Sequence, residues 1–244
     1  MVLAVPVGVT WEIVEAAVAH APEAPFESLS KGIEPGTMRT VSQLIAAAGN
    51  LPPSQIVAIS GPNLSMEIAM RQPTAAVVAS EDVETAKQIA RACHNEYFRP
   101  YVSTDLVGVE VAGAAKNVIA LAIGASEGMG LGANTRATLI TRGLAEMTRL
   151  GVALGARAST FAGLAGVGDL VATCSSRLSR NYSLGFRLGK GMTLEEALAL
   201  SPGIAEGYKT APPMLALAGD HDVDMPITRG VVEVIEGRAT VAQM

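Results

Sequence analysis

The stretch Tyr97-Phe-Arg-Pro-Tyr-Val-Ser-Thr-Asp-Leu-Val-Gly-Val-Glu-Val-Ala-Gly-Ala-Ala-Lys-Asn-Val-Ile-Ala-Leu-Ala-Ile-Gly124 contains the point at which the chain changes its hydrophobic period. Tyr97 to Ser103 reads as a short strand, whereas Glu110 to Ala125 reads as a helix, with Lys116 the only charged residue between Val111 and Gly124. Towards the N-terminus, short β-rich runs alternate with helical patterns, the signal of an α/β region with a parallel sheet. Strands are expected at Val2 to Val5, Phe26 to Ser30, Gln55 to Ser60 and Thr74 to Ser80. Helices are expected at Trp11 to Ala19, Val41 to Ala48, Leu64 to Arg71 and Val83 to His94. Towards the C-terminus every pattern is helical: Asn134 to Ala153, Ser159 to Leu164, Asn181 to Lys190, Thr193 to Leu200, Tyr208 to Gly219 and Ile227 to Ile235. The expected organisation is an α/β region over residues 1–106, about half of a doubly wound sheet, followed by an all-α domain over 107–244.

Composition narrows the function. Of 244 residues, 49% are hydrophobic and 17% charged, so the chain buries a substantial core. Aromatic residues are only 4%, which leaves aliphatic and small side chains to build that core. With 18 basic against 23 acidic residues, the charge balance argues against a nucleic-acid footprint. The two cysteines, Cys93 and Cys174, are in no metal or redox spacing and are expected to be buried apolar side chains. His20, His94 and His221 lie far apart, which points away from a zinc cluster and from a Ser/His/Asp triad. The apolar start, Met1 to Val9, lacks the basic region of a signal peptide, and no uninterrupted apolar run reaches the roughly 18 residues of a membrane helix. A soluble, cytoplasmic protein is expected.

In open α/β sheets ligands bind beyond the carboxyl ends of the strands. Lys31 follows one such strand, placing an ammonium beside Gly32. Gly61-Pro-Asn63 follows another, where Gly61 permits close backbone approach and Asn63 is suited to cap the next helix. The plainer alternative is a surface lysine and an ordinary capped helix. Lys116 must snorkel to water, meet a carboxylate or lower its pKa by burial, and the last two outcomes are those of catalytic acids and bases. Gly166 to Asn181 reads as a polar connection in which Asp169 can pair with a lysine from elsewhere. Within it, Ser179-Arg-Asn181 sets a hydroxyl, a guanidinium and an amide at a helix start, an arrangement suited to phosphate. Gly128-Met-Gly-Leu-Gly132 lacks the strand context and the spacing of a phosphate-binding loop, and there is no Walker lysine motif.

Leu29-Ser-Lys-Gly-Ile-Glu-Pro-Gly-Thr37, Ser60-Gly-Pro-Asn-Leu-Ser-Met-Glu67, Gly113-Ala-Ala-Lys-Asn-Val-Ile-Ala120, Leu139-Ile-Thr-Arg-Gly-Leu-Ala-Glu-Met147, Gly163-Leu-Ala-Gly-Val-Gly-Asp-Leu-Val171, Leu178-Ser-Arg-Asn181 and Glu206-Gly-Tyr-Lys-Thr210 stand in the order of known signatures. Through them the sequence resembles the bacterial NAD(P)-dependent glycerol-3-phosphate dehydrogenase family from Val2 to about Gly237. The resemblance implies a Rossmann-type sheet followed by a helical substrate domain. It also implies hydride transfer between glycerol 3-phosphate, or dihydroxyacetone phosphate, and NAD or NADP, in support of phospholipid synthesis. By the same resemblance Lys116 is the proton-transferring residue, and Lys31, Gly61, Asn63, Asp169, Ser179, Arg180 and Asn181 join it in holding glycerol phosphate. Lys31, Ser65, Arg180, Ile204 and Glu206 are implied to touch the dinucleotide, and the apolar helical half is suited to a homodimer. The sequence departs from the family pattern at Asn63, Ser65 and Ala115, and it contains no G-x-G-x-x-G fingerprint. A chain lacking that N-terminal part, weakly active or inactive alone and poorly soluble, is therefore expected. The alternative is a cofactor-free sugar-phosphate binding protein built on the same fold.

Overall fold

The computed structural model describes residues 1–201 and 203–244. Five strands, β1 (Val2–Leu3), β2 (Phe26–Ser28), β3 (Ile56–Ser60), β4 (Thr74–Ala79) and β5 (Phe98–Ser103), form one sheet in sequential order. All five residues of β3 are buried, as suits a strand covered on both faces rather than one alternating between core and water. The parallel sheet expected from the sequence is present in the pairs β1/β2, β2/β3 and β4/β5, while β3 and β4 run antiparallel. The helix between those two strands, α3 (Ser65–Ala69), has five residues. That is too short to carry the chain across the sheet, so it turns back instead. The other helices of this half are α1 (Thr10–Val18), α2 (Val41–Gly49) and α4 (Val83–Cys93). The strands at Val2 and Phe26 are shorter than their patterns predict, ending at Leu3 and Ser28.

From Leu106 onward the chain is helical: α5 (Leu106–Gly128), α6 (Ala133–Ala153), α7 (Ala158–Phe161), α8 (Asp169–Cys174), α9 (Arg180–Gly189), α10 (Leu194–Ala199), α11 (Glu206–Asp220) and α12 (Pro226–Ile235). Helix α5 begins four residues before its expected start, because the Asp105 carboxylate accepts the Gly108 N–H at 3.1 Å and caps it. The same carboxylate accepts the Arg157 N–H at 2.9 Å, tying the end of β5 to the start of α7. By length and composition α5 could cross a membrane, yet 89% of that apolar span is buried by its own neighbours, so it is the core helix of this half.

Helix α9 lies directly against α5. A Cβ on Gly185 would stand 2.0 Å from the Leu121 carbonyl oxygen, and one on Gly124 would stand 2.1 Å from that of Tyr182. Only glycine permits this approach, which carries the start of α9 to the middle of α5. In place of the polar connection expected from Gly166 to Asn181, the chain forms helix α8, entered through a π-helical turn at Leu164–Gly168. A π turn adds a residue to the helical repeat and so rotates the next turn about the axis, here the one that begins at Asp169.

Candidate active site

Three segments converge on one carboxylate. Beyond β2, Lys31 reaches across the sheet, and its Nζ donates to Asp169 Oδ2 at 2.7 Å and to Asn63 Oδ1 at 3.2 Å. Lys116, from α5, donates to Asp169 Oδ1 at 2.8 Å and to Thr173 Oγ1 at 2.8 Å. Asp169 and Thr173 are four residues apart, on one face of α8, and the Thr173 hydroxyl donates back to Asp169 Oδ1 at 3.2 Å. Ser60, the last residue of β3, directs its hydroxyl to Asp169 Oδ2 from 3.5 Å. The Gly61 carbonyl lies 3.4 Å from Lys31 Nζ. Gly61 has φ +145°, and a Cβ there would stand 3.0 Å from the Ala76 Cα, so the turn after β3 requires glycine.

This arrangement sets the charges. Burial pushes the Lys116 ammonium down to a pKa of about 8, and the positive charge of Lys31 adds to that, against the opposing attraction of Asp169. Burial alone would raise the Asp169 carboxyl, but the Lys31 and Lys116 ammoniums outweigh it and hold the group below the usual carboxylate range. The Asp169 side chain is 2% exposed and that of Lys116 9%, so the pair is nearly dry. Two ammoniums share one carboxylate, and the cluster carries net positive charge.

A second network borders the first. Asn181 Nδ2 donates to Asn117 Oδ1 at 2.9 Å, and Asn181 Oδ1 accepts the Gly207 N–H at 2.8 Å, joining α9, α5 and α11. The Ser179 hydroxyl accepts the Tyr182 N–H at 3.2 Å and caps α9. Next to it Arg180 is exposed and has no ion pair or side-chain hydrogen bond among the described residues. Burial raises the Glu206 pKa, with Lys209 and Arg180 opposing.

An open cleft of about 690 Å³ runs between the sheet and the helices. Lys31, Asn63, Ser65, Lys116, Asp169, Ser179, Arg180, Asn181, Ile204 and Glu206 all line it. Of the residues singled out in the sequence, only Gly61 contributes backbone rather than lining. Sequence reasoning missed Thr173, Ser60 and Asn117. Thr173 was legible only as an Asp-x-x-x-Thr pair on a helix that the sequence did not announce, and Asn117 only as the neighbour of Lys116. Cys174 is buried as expected, and burial pushes its thiol up to about 12; Cys93, by contrast, is only partly buried and lines the cleft.

The cleft has the size of a ligand site, commonly about 300–1,000 Å³, and its donor set suits an anionic substrate. A buried lysine next to a carboxylate can move a proton, and a free guanidinium at a helix start can bind phosphate. Comparisons with known proteins bear on the same point. The family described as NAD-dependent glycerol-3-phosphate dehydrogenase N-terminus matches residues 1–86, and its C-terminus counterpart matches residues 105–244. A glycerol-3-phosphate dehydrogenase (NAD(P)+) of Streptomyces griseus is 55% identical over 221 residues, covering 90% of this chain and 66% of the relative. Its counterpart in Thermobifida fusca is 56% identical, covering 85% of this chain and 62% of the relative. This chain therefore spans about two thirds of the length of the curated relatives it matches. The crystal structure of glycerol-3-phosphate dehydrogenase from Coxiella burnetii superposes with a TM-score of 0.93 at 35% identity, covering 99% of this chain and 74% of that one.

Proposed function

The chain belongs to the NAD-dependent glycerol-3-phosphate dehydrogenase family, and from that premise we propose that it interconverts glycerol 3-phosphate and dihydroxyacetone phosphate. The observation that carries this reading is the single carboxylate of Asp169, gripped by Lys31 and Lys116 at 2.7 and 2.8 Å at the floor of the cleft. Bound NAD or NADP supplies the hydride acceptor or donor. Lys31, Ser65, Arg180, Ile204 and Glu206, all on the cleft, are the residues that would hold it.

The chain's own residues do the rest. In oxidation the neutral Lys116 amine takes the proton of the secondary hydroxyl, and in reduction the Lys116 ammonium returns it. Asp169 and Thr173 hold the Lys116 nitrogen in place, and a nitrogen of pKa about 8 exchanges protons in either direction near neutral pH. Lys31 adds positive charge where an alkoxide forms. Arg180, with the free N–H groups at the start of α9, takes the substrate phosphate, while Asn63 and Asn181 direct hydrogen-bonding groups at the glycerol. Residues 1–106 serve as the cofactor side and 107–244 as the substrate side. The burial of α5 by its own neighbours supports an enzyme without membrane insertion, and a cytoplasmic homodimer belongs to the same proposal.

The test is the appearance of NADH or NADPH absorbance when the chain is mixed with glycerol 3-phosphate and either oxidised cofactor. Weak turnover with at least one cofactor is expected of a chain without the G-x-G-x-x-G fingerprint. Calorimetry that finds binding of the phosphate ligand and none of either nicotinamide would contradict the dehydrogenase and favour a sugar-phosphate binding protein.

A further inference from the structure

One face of α5 meets the segment that carries Lys31 at three points. At the first, Glu110 is buried, and its carboxyl accepts the Ser42 N–H at 2.7 Å and the Ser42 hydroxyl. Ser42 is the second residue of α2, and its hydroxyl lies 3.1 Å from that of Thr40, the residue that opens the helix. Thr40 in turn bridges to Ile33, and the Glu34 N–H donates to the Arg39 carbonyl at 3.0 Å, so the segment between Lys31 and Thr40 closes on itself. Whatever fixes Thr40 therefore fixes the chain two residues from Lys31.

At the second point, three residues along α5 and on the same face, Gly113 leaves a gap for the Lys31 stem. A Cβ there would touch Lys31 Cγ and Cδ at 3.4 Å, an ordinary contact, and crowd Ser60 Oγ at 3.0 Å, so that a branched side chain would press on both. At the third, Asn117 points its amide at the Lys31 carbonyl from 3.5 Å. Glu110 has no ion-pair partner among the described residues, and a buried carboxyl satisfied only by Ser42 and the Thr40 hydroxyl is a costly way to hold two elements together. Its contact spans 68 residues of sequence and joins the helical half to the sheet half beside the site.

We propose that Glu110 and Gly113 are positioning residues that hold Lys31 on Asp169, Glu110 by anchoring the far end of the Lys31–Thr40 segment and Gly113 by leaving the path of the side chain open. Neither touches a substrate; each acts through Lys31. The proposal rests on the assignment of this cleft as the reaction site. Its test, however, needs no turnover, so the two can fail separately.

The 244-residue chain and its Glu110→Ala, Glu110→Gln and Gly113→Val variants are treated with limiting acetic anhydride, and acetylation of each lysine is followed by mass spectrometry. Lys190, exposed, is the internal reference, and Lys116 reports general loosening. In Glu110→Ala and Gly113→Val, Lys31 is expected to acetylate about tenfold faster, the release expected when protection worth roughly one hydrogen bond is lost. Glu110→Gln, which keeps an acceptor for the Ser42 N–H, is expected to remain within about twofold of the parent, and Lys116 to stay protected in all three. Unchanged Lys31 labelling in either Glu110→Ala or Gly113→Val overturns the proposal. So does Lys116 labelling that rises in step with Lys31, which would mark Glu110 and Gly113 as general packing residues.

Discussion

The floor and the rim of the cleft are built on opposite principles. At the floor, Lys31, Lys116, Asp169 and Thr173 satisfy one another inside the protein, so their geometry is fixed before any ligand arrives. At the rim, Arg180 and Ile204 face solvent, and the Arg180 guanidinium has no ion-pair partner among the described residues. The difference separates two tasks. A proton-transfer group must be held at a shifted pKa, which requires buried partners, whereas a phosphate-binding group must stay available for a partner it does not yet have.

Substitutions can break this contrast in graded ways. The largest effect is expected from Lys116→Ala, which removes from the floor the nitrogen to which proton transfer is assigned in the proposed reaction. Turnover should fall by about 10³-fold or more, within the range attributed to general acid–base catalysis, while cofactor binding measured by calorimetry stays near that of the parent. Asp169→Ala comes next. It leaves two ammoniums facing each other without a carboxylate, and loss of one member of a buried ion pair costs about 3–5 kcal/mol, visible as a Tm about 10 °C lower. Deprotonation of Lys116 would soften that loss, so a shift toward the low end of the range at high pH is the expected signature. At the rim, Arg180→Ala should leave the Tm unchanged and raise the KM for glycerol 3-phosphate by about tenfold to a hundredfold, as one charge-assisted contact is lost. A Tm loss comparable to that of Asp169→Ala would erase the distinction between floor and rim. The smallest effect is expected from Ser179→Ala: it removes the cap on α9, worth about 1 kcal/mol, and should lower the Tm by only a few degrees.

The floor was partly legible in the sequence. Lys116 stood out as the lone charge in an apolar helix, and Asp169 as a carboxylate after two glycines, because a charge among apolar residues must find a partner. Thr173 did not stand out. Helix α8 has six residues, too few for a hydrophobic period to show, and its serine- and glycine-rich surroundings read as a connection. The strands and long helices were legible from their periods, since one buried face imposes its spacing over several turns. The antiparallel placement of β4 against β3 was not, because strand direction depends on how the intervening chain crosses the sheet and not on the pattern of either strand. The grip of Glu110 on Ser42 lies outside any local pattern: two residues 68 positions apart carry no mark of each other. The rim residues Ser65, Ile204 and Glu206 came from the family resemblance alone, as nothing in their own neighbourhoods distinguishes them from ordinary surface.

The central claim is that Lys116, held on Asp169 and beside Lys31, is the group whose proton moves. The pH dependence of kcat/KM for oxidation of glycerol 3-phosphate tests it most directly. Oxidation uses the neutral amine of Lys116, whose pKa is about 8, so the rate should rise tenfold per pH unit below 8 and level off above it. A profile that is flat across pH 8, or that climbs only near the ordinary lysine value of about 10.4, would contradict the assignment.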